Sequence, residues 1–227
     1  MLNKVKQEDL IILLSCIIIS IFIFYLFNSN KSFVKIVNNN INSIVEIECK
    51  INDSVTTKGT GIVVNSEYII TNYHIIKNSD LVYIRLFNTE KTYQVEVAKY
   101  DENTDLALLK YNENDLSLKG VTFGDSNKVT MGEEIITIGN SKGYGLAINN
   151  GVVSSYVKKI EINEISRSVL QISVPIVDGD SGGAAINKQG QVIGMMAFKT
   201  VNYYNNSTEE ISFAIPSNII KDFINGD

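Results

Sequence analysis

"PIVDGDSGGAAIN" (175–187) sets a single serine, Ser181, between Asp180 and the pair Gly182 and Gly183, with Gly179 two residues upstream. A run of this kind lets the backbone fold tightly where a Cβ would intrude, and so it can present a nucleophile from a loop. It can equally be a turn between two strands, since Asp, Gly and Ser all favour turns for local reasons. The choice depends on what else the chain can bring to the serine.

With 227 residues the chain can build one full-sized all-β domain or two small barrels sharing an interface. Its net charge is −5 and its lysines and arginines are scattered, so it lacks the basic stripe expected of a nucleic-acid partner. The two cysteines, Cys16 and Cys49, do not suggest a disulfide framework, because the first lies within an apolar run. That run, "LIILLSCIIISIFIFYLF" from Leu10 to Phe27, holds 18 residues without a charge. A bilayer-crossing helix needs roughly 20. The run is too long for a signal-peptide core and no small-residue cleavage site follows it, so it reads as a transmembrane anchor. "LLSC" is a weak lipoprotein signal, since eleven more residues of the run follow Cys16. Residues 1–9 then form a short cytoplasmic stub, and 28–42, "NSNKSFVKIVNNNIN", form a polar linker. Lysines flank the run on both sides, so charge alone barely orients it. The expected placement is a single-pass protein of the cell membrane with its folded domain extracytoplasmic.

From residue 43 onward the chain reads as strands. "SIVEIEC", "GTGIVV", "LVYIRLF", "TYQVEVAKY", "LALLKY", "EEIITIG", "VLQISV", "QVIGMMAF" and "ISFAIP" are short, β-branched and aromatic, and turn residues divide them. Their spacing predicts a sandwich or barrel. One helix is expected over Pro216–Asn225, where Ile219, Ile220, Phe223 and Ile224 recur at helical spacing behind a helix-starting proline.

Partners for Ser181 are few. His74, in "YIITNYHIIKNSD", is the chain's one histidine, which rules out a multi-histidine metal site. Beside isoleucines it could simply be packed, yet a base that works near neutral pH is most often an imidazole. A carboxylate to orient that imidazole is offered by Asp105 in "DENTDLALLK", with Asp101 as a local competitor and a turn role open to either.

In the order His74, Asp105, Ser181 and in their surroundings, the chain resembles the chymotrypsin/trypsin-like serine proteases, and most of all the HtrA (Deg) family. The likeness runs through "GTGIVV", "YIITNYHII", "VEVAKYDENTDLALLK", "FGDSNKVTMGEEIITIGNSKG", "NNGVVSS", "QISVPIVDGDSGGAAIN", "GQVIGMMAF" and "SFAIPSNII". The resemblance implies an all-β fold of two six-stranded antiparallel barrels over 43–227, closed by the short C-terminal helix and preceded by the transmembrane helix at 10–27. It implies a serine endopeptidase without cofactor or metal, with His74 as base, Asp105 as orienting carboxylate, Ser181 as nucleophile and the Gly179 and Ser181 N–H groups as oxyanion hole. It also implies protein or peptide substrates and allows a homo-oligomer; the PDZ domain common in the family is not expected, since the chain ends shortly after "SFAIPSNII". A primary pocket is expected with its floor near Pro175, its walls near Ala197, Phe198, Lys199 and Ser212, and Asp178 at its mouth. With no acid in the floor it should take small or medium aliphatic side chains, and Lys199 should narrow it or meet Asp178. A catalytically silent peptide-binding relative and a serine esterase are the alternatives.

One position departs from the HtrA pattern, which has Asn before the nucleophile where this chain has Asp180. In trypsin-like relatives an aspartate there pairs with a newly cut N-terminus. "KIVNN" (35–39) is only a faint match to such a cut site. A buried carboxylate without that partner is costly, so the 178–181 loop is expected to be poorly ordered at rest.

Overall fold

A computed structural model describes residues 7–52, 54–112, 116, 118–162, 165–204 and 207–226. The first barrel is built from β1 (Ile44–Ile51), β2 (Ser54–Val63), β3 (Tyr68–Asn72), β4 (Leu81–Leu86), β5 (Thr92–Asp101) and β6 (Leu106–Lys110). The second uses β7 (Glu134–Gly139), β8 (Ala147–Ile162), β9 (Ile165–Ile172), β10 (Ala184–Asn187), β11 (Val192–Tyr204) and β12 (Ser207–Pro216). Each set closes on itself, in the orders β1-β2-β3-β6-β5-β4 and β10-β11-β12-β9-β8-β7, through antiparallel ladders. Closure leaves neither sheet with an unpaired edge.

In β3, β6 and β7 the apolar runs are nearly continuous because both faces are buried, whereas β5 is mostly exposed. Along β6, Ala107 and Leu109 point into the core of their own barrel, while Leu106 and Leu108 join a second cluster that reaches the other barrel. Ile69 and Ile70 on β3 divide in the same way, as the two-residue period of a strand requires. The shared cluster takes Ile44, Ile62 and Ile70 from one barrel and Ile138, Ala184 and Met195 from the other. Each fully buried side chain of this size contributes about 1.5–3 kcal/mol. The loops that carry the candidate site sit on this rigid junction.

Helix α1 spans Gln7–Asn40 and passes through a 3-10 turn at Ile41–Ser43 into β1. The sequence reading puts a polar linker at 28–42, but the backbone is helical to Asn40. Ile36, Val37 and Ile41 recur at helical spacing and are buried in the shared cluster, and the Asn40 amide donates to Ile36 O at 2.9 Å. That burial outweighs the weak helix propensity of three successive asparagines. At the other end, the side chains from Leu10 to Phe24 are all exposed, and those of 25–32 lie outside the described residues. Among the described residues, no helix is long and apolar enough to cross a membrane.

Between β3 and β4 lies a single helical turn, α2 (Tyr73–Ile76). The expected C-terminal helix, α3, spans Ser217–Asn225, with Pro216 as its N-cap and Gly226 ending it at φ +84°. Its Ile219, Ile220, Phe223 and Ile224 pack on the shared cluster. Lys99 of β5 donates to the Phe223 and Ile224 carbonyls at the end of the helix, where a cation meets the negative end of the helix dipole. Cys49 is wholly buried in the first barrel, and burial pushes its thiol pKa up.

Candidate active site

His74 is the second residue of α2, directly after β3, and Asp105 ends the turn from β5 into β6. Two hydrogen bonds join them. The His74 backbone N–H donates to Asp105 Oδ1 at 2.9 Å, and His74 Nδ1 lies 2.8 Å from Asp105 Oδ2. An ionised carboxylate only accepts, so Nδ1 carries the proton and Nε2 is left as the basic nitrogen. The Asp105 side chain is 5% exposed and that of His74 45%, so the carboxylate is shielded while the imidazole faces the cleft.

Asp105 has φ +59°, an uncommon conformation for a residue with a side chain. Its carbonyl accepts from Tyr73 N and from Asn72 Nδ2, both at 3.1 Å. Four contacts to residues 72–74 therefore hold a backbone that costs of order 1–3 kcal/mol. Asp101, the competing carboxylate, folds the preceding turn instead, accepting from Asn103 N at 2.9 Å and from Thr104 Oγ1 at 2.7 Å.

Ser181 lies between β9 and β10, and its hydroxyl donates to Ala197 O at 2.9 Å. Its carbonyl accepts from Thr60 N at 2.9 Å, which ties the loop to β2 of the other barrel. The flanking glycines are required by close approach. Gly179 and Gly182 have φ +91° and +85°, and a Cβ on them would lie 2.1 Å from Asn140 O and 1.9 Å from Thr60 O. Among the described residues, neither the Gly179 nor the Ser181 N–H donates to another group of the chain.

The loop expected to be poorly ordered is held on several sides. Thr60 Oγ1 donates to Gly179 O at 2.7 Å, Lys142 N to Asp178 O at 2.6 Å, and Ser141 Oγ to Asp180 Oδ1 at 2.6 Å. Asp180 itself is buried. Its neighbours are neutral donors, which the sequence reading did not foresee.

A cleft of about 350 Å³ is lined by Tyr73, His74, Lys77, Asp105, Ala197 and Phe198, with Lys199 further along it. Three of the expected pocket residues thus share a surface with His74 and Asp105, and Ala197 connects that surface to Ser181. Pro175, Asp178 and Ser212 are not among its lining residues. Ser212 is buried and accepts from Ile176 N at 3.2 Å, while the Phe198 and Phe213 rings lie 5.4 Å apart. Lys199 does not meet Asp178. It stands opposite Ser212 in the β11–β12 ladder, and its ammonium lies 2.9 Å from Glu210, diagonal to it across the pair.

Several residues at the site carried no sequence signal. Tyr73 stacks on Tyr100 with ring centroids 4.7 Å apart. Lys77 lies 2.7 Å from Glu102, whose carboxylate raises the lysine's pKa. Arg167 of β9 donates through Nε to Asn103 O and through Nη2 to Glu102 O, both at 2.9 Å. The second barrel thereby clasps the turn that carries Asp105. Thr60 and Arg167 act across the barrel junction and Ser141 acts between two loops of the second barrel, where a linear pattern leaves no trace.

A family model described as a trypsin-like peptidase domain matches residues 59–195. The chain is 35% identical over 170 residues to the magnetosome formation protease MamE of Magnetospirillum gryphiswaldense, covering 73% of this chain and 22% of that one. It is 34% identical over 185 residues to the serine protease Do-like HtrA of Lactococcus lactis subsp. cremoris, covering 75% and 45%. With the serine protease HtrA-like of Staphylococcus aureus the identity is 30% over 213 residues, covering 84% and 27%. The chain therefore spans less than half the length of these relatives. A solved structure of the serine endoprotease from Yersinia pestis superposes with a TM-score of 0.72 at 23% identity, over 86% of this chain and 65% of that one, and speaks to the fold.

Proposed function

This chain belongs to the trypsin-like peptidase family, and we propose that it is a serine endopeptidase in which His74, Asp105 and Ser181 form the catalytic triad. The observation that carries this reading is the imidazole held by a buried carboxylate through two hydrogen bonds, facing a cleft lined in part by Ala197, whose carbonyl accepts from the Ser181 hydroxyl.

The chemistry follows from the protonation pattern. With Nδ1–H bound to Asp105, Nε2 accepts the Ser181 proton as Oγ attacks a peptide carbonyl. The imidazolium then delivers that proton to the leaving amine as the C–N bond breaks and an acyl-serine remains. Water hydrolyses the acyl-enzyme by the same proton path in reverse order. Asp105 stabilises the imidazolium and does not take its proton. The Gly179 and Ser181 N–H groups, which meet no other acceptor among the described residues, are the donors for the oxyanion, each contributing about 3–4 kcal/mol. At rest the Ser181 hydroxyl is engaged by Ala197 O, which lies where the β11–β12 ladder shifts register between Met196 and Phe198. An extended peptide that hydrogen-bonds to this carbonyl competes with the serine and frees its hydroxyl for the imidazole. Substrates are therefore extended segments of unfolded or exposed protein. Ala197 and Phe198 in the cleft and the pairing of Lys199 with Glu210 favour small or aliphatic residues before the cut bond.

We also propose that α1 anchors the domain to the cell membrane, with the peptidase outside the cytoplasm. The exposed apolar side chains from Leu10 to Phe24 support this, because such a surface is costly in water. The full chain is expected to stay with membranes through carbonate extraction, whereas a chain beginning near Ser32 is soluble; release of the full chain contradicts the anchor.

The activity is tested by incubating the full chain with an unfolded protein and, separately, with a simple ester. Cleavage of the protein after small or aliphatic residues is expected. Turnover of the ester alone would make the chain an esterase, and turnover of neither would make it a silent relative.

A further inference from the structure

We infer that Ser141 is the positioning residue of the oxyanion loop: its hydroxyl, with the Val177 amide, holds the Asp180 carboxylate and sets the 178–181 backbone without a cationic partner. The inference rests on the peptidase reading above, since the Gly179 and Ser181 amides matter to catalysis only if they receive an oxyanion.

Asp180 is 3% exposed. Ser141 Oγ donates to its Oδ1 at 2.6 Å and Val177 N donates to its Oδ2 at 3.0 Å. Among the described residues, no lysine, arginine or histidine forms an ion pair with it. The 2.6 Å contact is in the range of a charge-assisted O–H···O⁻ bond, which is stronger than a neutral one. A buried carboxylate can persist on such donors, but not without them.

Ser141 is itself held in place. It opens the 3-10 turn Ser141–Gly143 after β7, in which Lys142 adopts φ +54° and ψ +19°. A side-chain-bearing residue pays about 1–2 kcal/mol for that conformation. Fixed contacts on either side offset the strain: Lys142 N donates to Asp178 O, Asn140 N donates to Thr60 Oγ1 at 2.8 Å, and Gly145 N donates to Asn140 Oδ1 at 2.9 Å. One turn thus addresses three successive residues of the loop, reaching Asp178 through Lys142, Gly179 through Thr60 and Asp180 through Ser141. The donors are already in place in the uncut chain, so the loop needs no new N-terminus to assemble. Removing the Ser141 hydroxyl strands Oδ1 in a buried site. Asp180 must then turn toward other donors, taking the Gly179 and Ser181 peptides with it.

The test uses the full chain in detergent, with Ser141→Ala and Ser141→Thr. Turnover of a peptide substrate is measured together with amide hydrogen exchange over 177–183. For Ser141→Ala, kcat is expected to fall by about tenfold to a hundredfold with KM within about twofold, the scale of a small misplacement at a reacting centre. Exchange over 177–183 should rise while the barrels stay protected, and Ser141→Thr should restore both. Parent kcat in Ser141→Ala overturns the positioning role, as does an equal loss in Ser141→Thr or unchanged exchange. If the parent itself turns over no substrate while exchange still responds and threonine restores it, the peptidase reading fails and the hold of Ser141 on the loop stands.

Discussion

Replacing Ser181 with alanine is expected to leave the chain folded and to lower peptide hydrolysis by about four orders of magnitude or more, the loss typical when a triad nucleophile is removed. The fold survives because the structural work at this position is done by the backbone: the Ser181 carbonyl accepts from Thr60 N, and the neighbouring Gly182 N–H donates to Met196 O at 2.8 Å. Among the described residues the side chain makes one hydrogen bond, to Ala197 O, and losing such a bond costs about 1 kcal/mol of stability. Unfolding transitions and turnover of both proteins check the two halves of this expectation. An alanine variant with near-parent turnover removes Ser181 from the mechanism.

Asp105→Asn is expected to lower kcat by about 10⁴-fold without unfolding the chain, through the tautomer of His74. Asparagine tolerates the left-handed backbone at 105, and its carbonyl can keep the bond to the His74 N–H. Its NH₂ would then face Nδ1, which must become an acceptor. The imidazole proton moves to Nε2, the nitrogen that has to take the proton of Ser181. A pH–rate profile of the variant should show the loss at neutral pH, while a merely structural role for Asp105 would lower stability and turnover together. Substitution of Asp101 should have little effect on kcat, because its carboxylate is spent on Asn103 and Thr104.

What could be read from the sequence was local or repeated. The two barrels follow from short β-branched and aromatic segments divided by turn residues, and the Ser181 loop from glycines where a Cβ would clash. β10 is harder to see because "AAIN" is only four residues, two of them alanine, that become a strand between β7 and β11. β8 runs from Ala147 to Ile162 through polar residues and Gly151, so its pattern reads as turn. Helix α1 continues through "VNNN" because Ile36 and Val37 find a hydrophobic surface that composition does not reveal. At the site, the sequence order pointed to His74, Asp105 and Ser181. The choice of Asp105 over Asp101, and of Glu210 over Asp178 as the partner of Lys199, was decided by turn geometry and strand register. The hydroxyl that donates to Asp180 comes from a turn 39 residues away in the chain, and no spacing rule links the two.

We propose that Ser181 is a nucleophile activated by a His74 held on Asp105. Reaction of the full chain with a fluorophosphonate, followed by peptide mapping of the adduct, tests it most directly. One adduct is expected, on Ser181, absent from Ser181→Ala and formed far more slowly in Asp105→Asn. An unreactive parent, or an adduct on another residue that persists in Ser181→Ala, would contradict it.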